Sequence, residues 1–487
     1  MTANRATYTF GPIERRGLLG PVRPGQALVG AVAIAVSVAA VDLAPSATGL
    51  LIAAVAVAVA GVLVVVPLGE RTISDWAPVV GAHLIRRAGR RTEFRSPLPV
   101  LGVRRGTARP SPPPTLAGVR IVATEHRGRR VGALSEQGGR YLTAILACRA
   151  GSFTMLDAEA QQRRLAGWGL ILSGAAVSPI RRLQWIERTV PAQGDELARH
   201  LHSERDPSLP LRGTPLIDSY LELIDSSTRV TQEHEVLLAI QVEARGVGDR
   251  RRRPPDVLVD ELERVATSLQ SAEVSVLGAL SPGRVGRAVR TAFDPFARPE
   301  LAALEAADPD RDGVPEPSAW PLATSERWEH CRADGSLHAT YWIAGWPRVP
   351  VSAVFMDALL GRSGSVRTVA VTFEPIRPER SSREAEAAVT RDRADRHLRQ
   401  RFGQSETARQ RQAQEATLRR EAELAAGHGE VRLAGFVTVS GAGPDELRRA
   451  CAEVVEHAAR ARLELHRMYG QQAEAFTFTL PLCRGLR

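Results

Sequence analysis

The chain contains no lysine; all 64 of its basic side chains are arginine. That absence excludes a phosphate-loop lysine, a Schiff-base lysine and a lysine general base together. Cysteine is scarce too. Cys148, Cys331, Cys451 and Cys483 form no CxxC pair, which argues against a disulfide scaffold or a zinc site and for a reducing compartment. Aromatic residues make up 5% of the 487. Arginine is therefore the residue left to recognise charge, and its planar fork suits phosphates, carboxylates and anionic lipid. The apolar share of 44% excludes wholesale disorder. At about 150 residues per domain, the length allows two or three domains.

Charge is missing from one long stretch. Between Arg23 and Glu70, 46 residues carry Asp42 alone. A spanning helix needs about 20 apolar residues. The stretch is expected to form two helices, roughly Ala27–Val41 and Gly49–Leu68, joined by the Pro45 turn. A cleaved signal peptide has a single apolar region of about 7–15 residues and then a processing site, whereas here a second full-length run follows. Arg5, Arg15, Arg16 and Arg23 precede the stretch, and eight arginines lie between residues 86 and 109. This asymmetry places both termini in the cytosol and the protein in the inner (plasma) membrane as a multi-pass protein. Arg86, Arg87, Arg90, Arg91, Arg95, Arg104 and Arg105 are the candidate contacts to anionic head groups. Direct nucleic-acid binding is the competing use of the same charges, and the membrane exit favours lipid.

The remainder divides by composition. A basic tail (1–26) and the transmembrane hairpin (27–68) lead into a basic juxtamembrane segment with a proline-rich linker (69–115). A cytosolic α+β domain (116–338) and a cytosolic split βαβ-type domain with a long helical hairpin (339–487) complete the chain. The fold class expected is a membrane-anchored α+β protein: a two-helix transmembrane hairpin, then mixed α/β domains with a split βαβ sheet at the C-terminus. A helix is expected over Ile217–Ser226 and a last strand over Ala475–Leu482. The final helix, with Asp445 as its cap, lines up Leu447, Cys451, Val454, Ala458, Ala461, Leu465 and Met468 on one face. Its other face carries Arg448, Arg449, Glu453, Glu456 and Arg460, mixed charges suited to setting partner choice; a solvated face is the plainer alternative.

No sequence pattern for catalysis emerges, and the expectation is a protein that is not an enzyme and holds no cofactor or metal. Gly361-Arg-Ser363-Gly-Ser365 lacks the second glycine of a nucleophile elbow. Asp308-Pro-Asp310-Arg-Asp312-Gly313 opens like a calcium loop, but Ala319 stands where a bidentate glutamate is required. His200, His202, His428 and Glu233-His234-Glu235 complete no H-E-x-x-H motif. Tyr341, Trp342, Trp346 and Phe355 form an aromatic cluster that fits core packing better than base stacking.

Glu430–Ser440, Asp445-Glu-Leu, Ala461-Arg-Leu-Glu-Leu-His-Arg-Met-Tyr469-Gly-Gln471-Gln472 and Ala475-Phe-Thr-Phe-Thr-Leu480-Pro481-Leu-Cys-Arg484-Gly485-Leu486 resemble the end of the N-terminal, non-ATPase domain of the large type IV secretion ATPases. In that family the Leu-Pro ending leads into the motor. The N-terminal apolar region with its basic flanks is similar to the short PrgI-type inner-membrane subunit of the same machines. The combination resembles actinobacterial PrgI-like membrane proteins of conjugation clusters. The resemblance implies a non-enzymatic scaffold of a multi-subunit transfer apparatus that docks a separately encoded secretion ATPase. An accessory membrane subunit of type VII secretion is the alternative, and a membrane-tethered enzyme a third.

Overall fold

The computed structural model describes residues 24–97, 110–191, 232–244, 253–401, 408–425 and 429–486 apart from a few single positions, with Tyr8, Phe10 and four positions within 215–222. The expected helix Ile217–Ser226 falls mostly outside the described residues. The chain forms two units. The small unit comprises Pro12–Thr92 with Tyr469–Gln471, and the large unit takes Met1–Gly11, Glu93–Met468 and Gln472–Arg487.

In the small unit, helix α1 (Pro24–Leu43) folds back on α2 (Ala47–Val65). The Ser37 hydroxyl donates to Ala33 O within α1 (2.7 Å) and lies 3.3 Å from Ala53 O of α2. Strands β1 (Pro67–Leu68) and β2 (Arg71–Thr72) pair, and α3 (Ile73–Ala88) follows, with Arg86 and Arg87 in its last turn. Among the described residues, one helix is long and apolar enough to cross a membrane: Ala47–Val64, with a mean hydropathy of 2.6. The expected two-helix transmembrane hairpin is thereby corrected. The apolar part of α1 is only Val29–Leu43, because Pro24, Gly25 and Gln26 occupy its first turn. That run falls short of the roughly 20 residues a span requires.

The large unit is built on one antiparallel sheet of 13 strands, and this overturns the expected split βαβ sheet confined to the C-terminus. Strands β3 (Glu93–Arg95), β4 (Arg120–His126), β5 (Arg129–Glu136) and β6 (Tyr141–Arg149) come first, then helix α4 (Ala158–Ala176), whose N-cap Asp157 accepts from Ala160 N. Next are β7 (Ile180–Pro191), β8 (Gln232–Glu243), α5 (Pro254–Ser271), β9 (Ser275–Ala279) and α6 (Pro282–Phe293). The second half holds β10 (Ala323–Glu326), β11 (Cys331–Ala333), β12 (Ser336–Gly345), β13 (Val366–Ile376), α7 (Pro378–Arg401), α8 (Ala408–Ala425), β14 (Glu430–Gly441), α9 (Pro444–Arg460) and β15 (Glu464–Arg467). The order is β3-β10-β11-β12-β14-β13-β7-β8-β6-β5-β4, with β15 also on β12 and β9 also on β6. Residue 338, where the sequence reading divides the body, lies inside β12.

This order contains a repeat. In each half a three-stranded meander leads through a helical crossover to a long strand, which pairs with the next long strand; a helix and a short strand then return to the meander. The returning helices share one burial pattern: Leu258, Glu261, Val265 and Leu269 on α5, and Leu447, Ala450, Val454 and Ala458 on α9, each set followed by a buried alanine, Ala272 or Ala461. The halves join through the antiparallel β7·β13 ladder, with Ile186 opposite Ala370 at its centre, which relates them by an approximate half-turn. Both central side chains are fully buried. The crossovers differ. α4 places Trp168 against Trp185 and Phe373 (5.9 and 5.7 Å between ring centroids), whereas the described residues of the other crossover hold the short helical turn Asp357–Leu360.

The expected last strand, Ala475–Leu482, is instead a helical turn (Gln472–Phe476), a 3-10 turn (Thr477–Thr479) and an extended strap. Alternating apolar and polar residues looked like a strand, but side chains on the sheet's face grip this backbone in place of a neighbouring strand. Gln184 Nε2 donates to Phe478 O (2.7 Å), and Cys483 N donates to Gln184 Oε1 (2.8 Å). Gln241 Nε2 donates to Leu482 O (3.1 Å) and the Thr372 hydroxyl to Arg484 O (3.0 Å). Arg484 returns the contact through Glu136 and Thr115 O. Gly485 is required here: its φ is +98°, and a Cβ would stand 2.4 Å from the Phe436 ring.

Candidate docking surface

Helix α9 starts where Pro444 takes the first helical position, with fixed φ and no N–H to lose. Gly443 is the N-cap, so Asp445 sits inside the first turn, where its charge opposes the positive helix end. Glu446 reaches back to accept from Ala442 N (3.0 Å). Leu447, Ala450, Val454 and Ala458 bury one face against Ala339, Tyr341, Val437 and Val439. Spacing of 3.6 residues per turn then turns the other face outward.

On that face Arg448 pairs with Asp445, and Arg460 with Glu456 at 2.5 Å. All four of these side chains are exposed, Arg449 is exposed between them, and Val455 adds an apolar surface group. Glu453 is placed differently. Its carboxylate accepts from the Ser363 hydroxyl (2.7 Å) and from Gly364 N (2.9 Å), pinning the loop before β13. Partial burial pushes this carboxyl up, but the hydrogen bonds from Ser363, Gly364 and Ser365, with His457 nearby, bring it below the usual carboxylate range.

Under this loop lies a group that the sequence reading missed. Arg367 on β13 is 1% exposed; it donates to Gly361 O and faces His457 Nδ1 at 3.5 Å. Burial draws its guanidinium down from the ordinary value, against the pull of Glu453 and Glu187. Arg367, Glu453 and the 361–365 loop thus form one charged support beneath the α9 surface. An arginine alternating with apolar residues in Val366-Arg-Thr-Val reads as a solvent-facing strand position, so nothing local marked it.

The basic positions expected at the membrane divide between the units. Arg86, Arg87, Arg90 and Arg91 belong to the small unit, Arg95 lies on β3 of the large unit, and Arg104 and Arg105 fall outside the described residues. Arg87, Arg90 and Arg91 are exposed, whereas Arg86 donates to Gly470 O within its own unit.

Of the remaining candidates, those among the described residues are held by contacts within the fold. His338 is fully buried, taking a hydrogen bond with Ser440 (2.8 Å) and one with Phe293 O (2.9 Å); burial pushes it down to about 4. His234 faces Glu187 at 3.4 Å, while Glu233 and Glu235 pair with Arg298 at 3.0 and 3.4 Å. His200, His202 and His428 fall outside the described residues. Burial raises the thiols of Cys148, Cys331 and Cys483, that of Cys148 to about 11, so at neutral pH they stay protonated. Asp312 accepts from the Ser281 hydroxyl (2.5 Å), joining the calcium-like loop to the start of α6. Among the described residues, no three His, Cys, Asp or Glu side chains gather as a metal site.

Two comparisons bear on identity. No protein-family model matches the chain. No curated protein matches it either.

Proposed function

We propose that this protein is a non-enzymatic, membrane-associated subunit of a type IV secretion or conjugation-like transfer apparatus, and that the outer face of α9 docks a separately encoded secretion ATPase. The observation that carries the reading is the division of labour on α9. Its inner face and Glu453 secure the helix to the sheet, and Arg448, Arg449, Glu456 and Arg460 are left at the surface. A rigidly seated helix with mixed exposed charge can set register and select a partner. The segments carrying the resemblance to the non-ATPase domain are β14, α9, β15 and the strap, which are contiguous in chain order and bear on one another in the sheet.

Helix α2, folded back against α1, supplies the membrane association at the inner membrane, with the large unit, Met1–Gly11 included, on the cytosolic face. Arg87, Arg90 and Arg91 then meet anionic head groups, each at about 1 kcal/mol near the surface. Among the described residues, His338 and the thiols of Cys148, Cys331 and Cys483 are buried in the fold, which supports the scaffold reading.

The test is recovery of the ATPase with the tagged protein after mild detergent extraction. Arg448→Glu with Arg449→Glu is expected to reduce that recovery at least tenfold while the protein stays in the membrane fraction. An unchanged complex, or wild-type protein that brings down no ATPase, would refute the docking assignment.

A further inference from the structure

The short crossover between β12 and β13 presents Trp346, Val351 and Phe355 to Tyr8 and Phe10 near the start of the chain. Tyr8 N donates to Val351 O (2.9 Å) and Val351 N donates back to Tyr8 O (3.0 Å), a single antiparallel bridge. Two residues on, Phe10 stacks on Trp346 (5.2 Å between centroids, 26° between planes) and meets Phe355 edge-on at 5.4 Å. Val351 is buried there, whereas Phe10, Trp346 and Phe355 remain partly exposed.

We propose that Trp346, Val351 and Phe355 form a peptide-binding groove, and that Tyr8 and Phe10 occupy it in cis as a releasable clasp. Two features carry this. The bridge is made of main-chain groups alone, so it accepts any extended segment, and among the described residues the ring of Phe10 is the anchor that selects it. That division, main chain for attachment and a side-chain pocket for choice, is how strand addition recognises peptides. The clasp also has a topological consequence. After Gly11 the chain passes into the small unit and returns at Glu93, so the clasp closes a loop that contains Pro12–Thr92 of that unit. Tethering keeps the occupant at high effective concentration although, among the described residues, two hydrogen bonds and one ring hold it. Opening the clasp frees one of the loop's two ends and uncovers a groove for an extended segment bearing an aromatic residue.

The experiment uses full-length protein in detergent and a fluorescent peptide of residues 4–14, with binding read by anisotropy. Phe10→Ala empties the groove and is expected to bind the peptide at least tenfold more tightly than the wild type does. Adding Trp346→Ala to that variant should abolish binding, and so should replacing Phe10 in the peptide. Phe355→Ala, on the groove's rim, serves the same purpose if loss of Trp346 prevents folding. Equal binding by wild type and Phe10→Ala, including no binding by either, would overturn the proposal. Binding that survives loss of both Trp346 and Phe355 would do so as well.

Discussion

Replacing Gln184 by leucine removes both ends of the clamp that holds the C-terminal strap. Gln184 is fully buried at the seam, and its amide both donates to Phe478 O (2.7 Å) and accepts from Cys483 N (2.8 Å). Leucine fills much of the same volume but leaves a part-buried carbonyl and a buried N–H without these partners. Each orphaned group costs about 1–3 kcal/mol, so the expected loss is about 2–6 kcal/mol. Against a typical total of about 5–15 kcal/mol, that is a large share. The assay is urea unfolding of the full-length protein in mild detergent, followed by tryptophan fluorescence, since Trp185 is the next residue along β7. The midpoint should fall with little change in slope. Thr372→Val, which removes one bond to Arg484 O, should cost less. Combined with Gln184→Leu it should fall short of additivity, because a released strap cannot be released twice. A loss below about 0.5 kcal/mol for Gln184→Leu would refute the reasoning, since surface substitutions reach that size.

Further outcomes follow from other sites. Gly283→Ala puts a Cβ 1.3 Å from Asp312 O, so it should displace the 308–313 loop and destabilise by about 1–3 kcal/mol or more, seen as faster proteolysis there. His338 is held near 4 in the fold against 6.5 when unfolded, so the unfolded state binds the extra proton and stability falls as pH drops from 6.5 to 4. The decline should approach about 3 kcal/mol, at 1.36 kcal/mol per pH unit. Urea midpoints across that range should flatten in His338→Gln. Purified protein free of any partner should neither bind nor hydrolyse ATP; stoichiometric hydrolysis in such a preparation would count against the scaffold reading.

What the sequence determined by itself was local. Apolar runs placed α2, and helical periodicity placed Leu447, Val454 and Ala458 on the inner face of α9, because both act over a few residues; the expected run of that helix to Met468 instead ends at Arg460, with Leu465 on β15. The outward set Arg448, Arg449, Glu456 and Arg460 was legible for the same reason, being the complement of the buried stripe. Long-range pairing was decided only in three dimensions. The ladder of Ile186 with Ala370, which joins two half-sheets into one, links strands far apart in the chain, and no local pattern distinguishes it from a sheet edge. The repeat escaped notice because the halves share burial positions and strand order, while their crossovers differ in length. Glu453 and Gln184 show the same limit at single residues. Each is a polar side chain in an amphipathic pattern, and only the arrival of Ser363 or Phe478 from elsewhere turned it from surface to support. Periodicity reports which face a residue occupies; what meets that face depends on contacts whose chain separation leaves no trace in the neighbouring sequence.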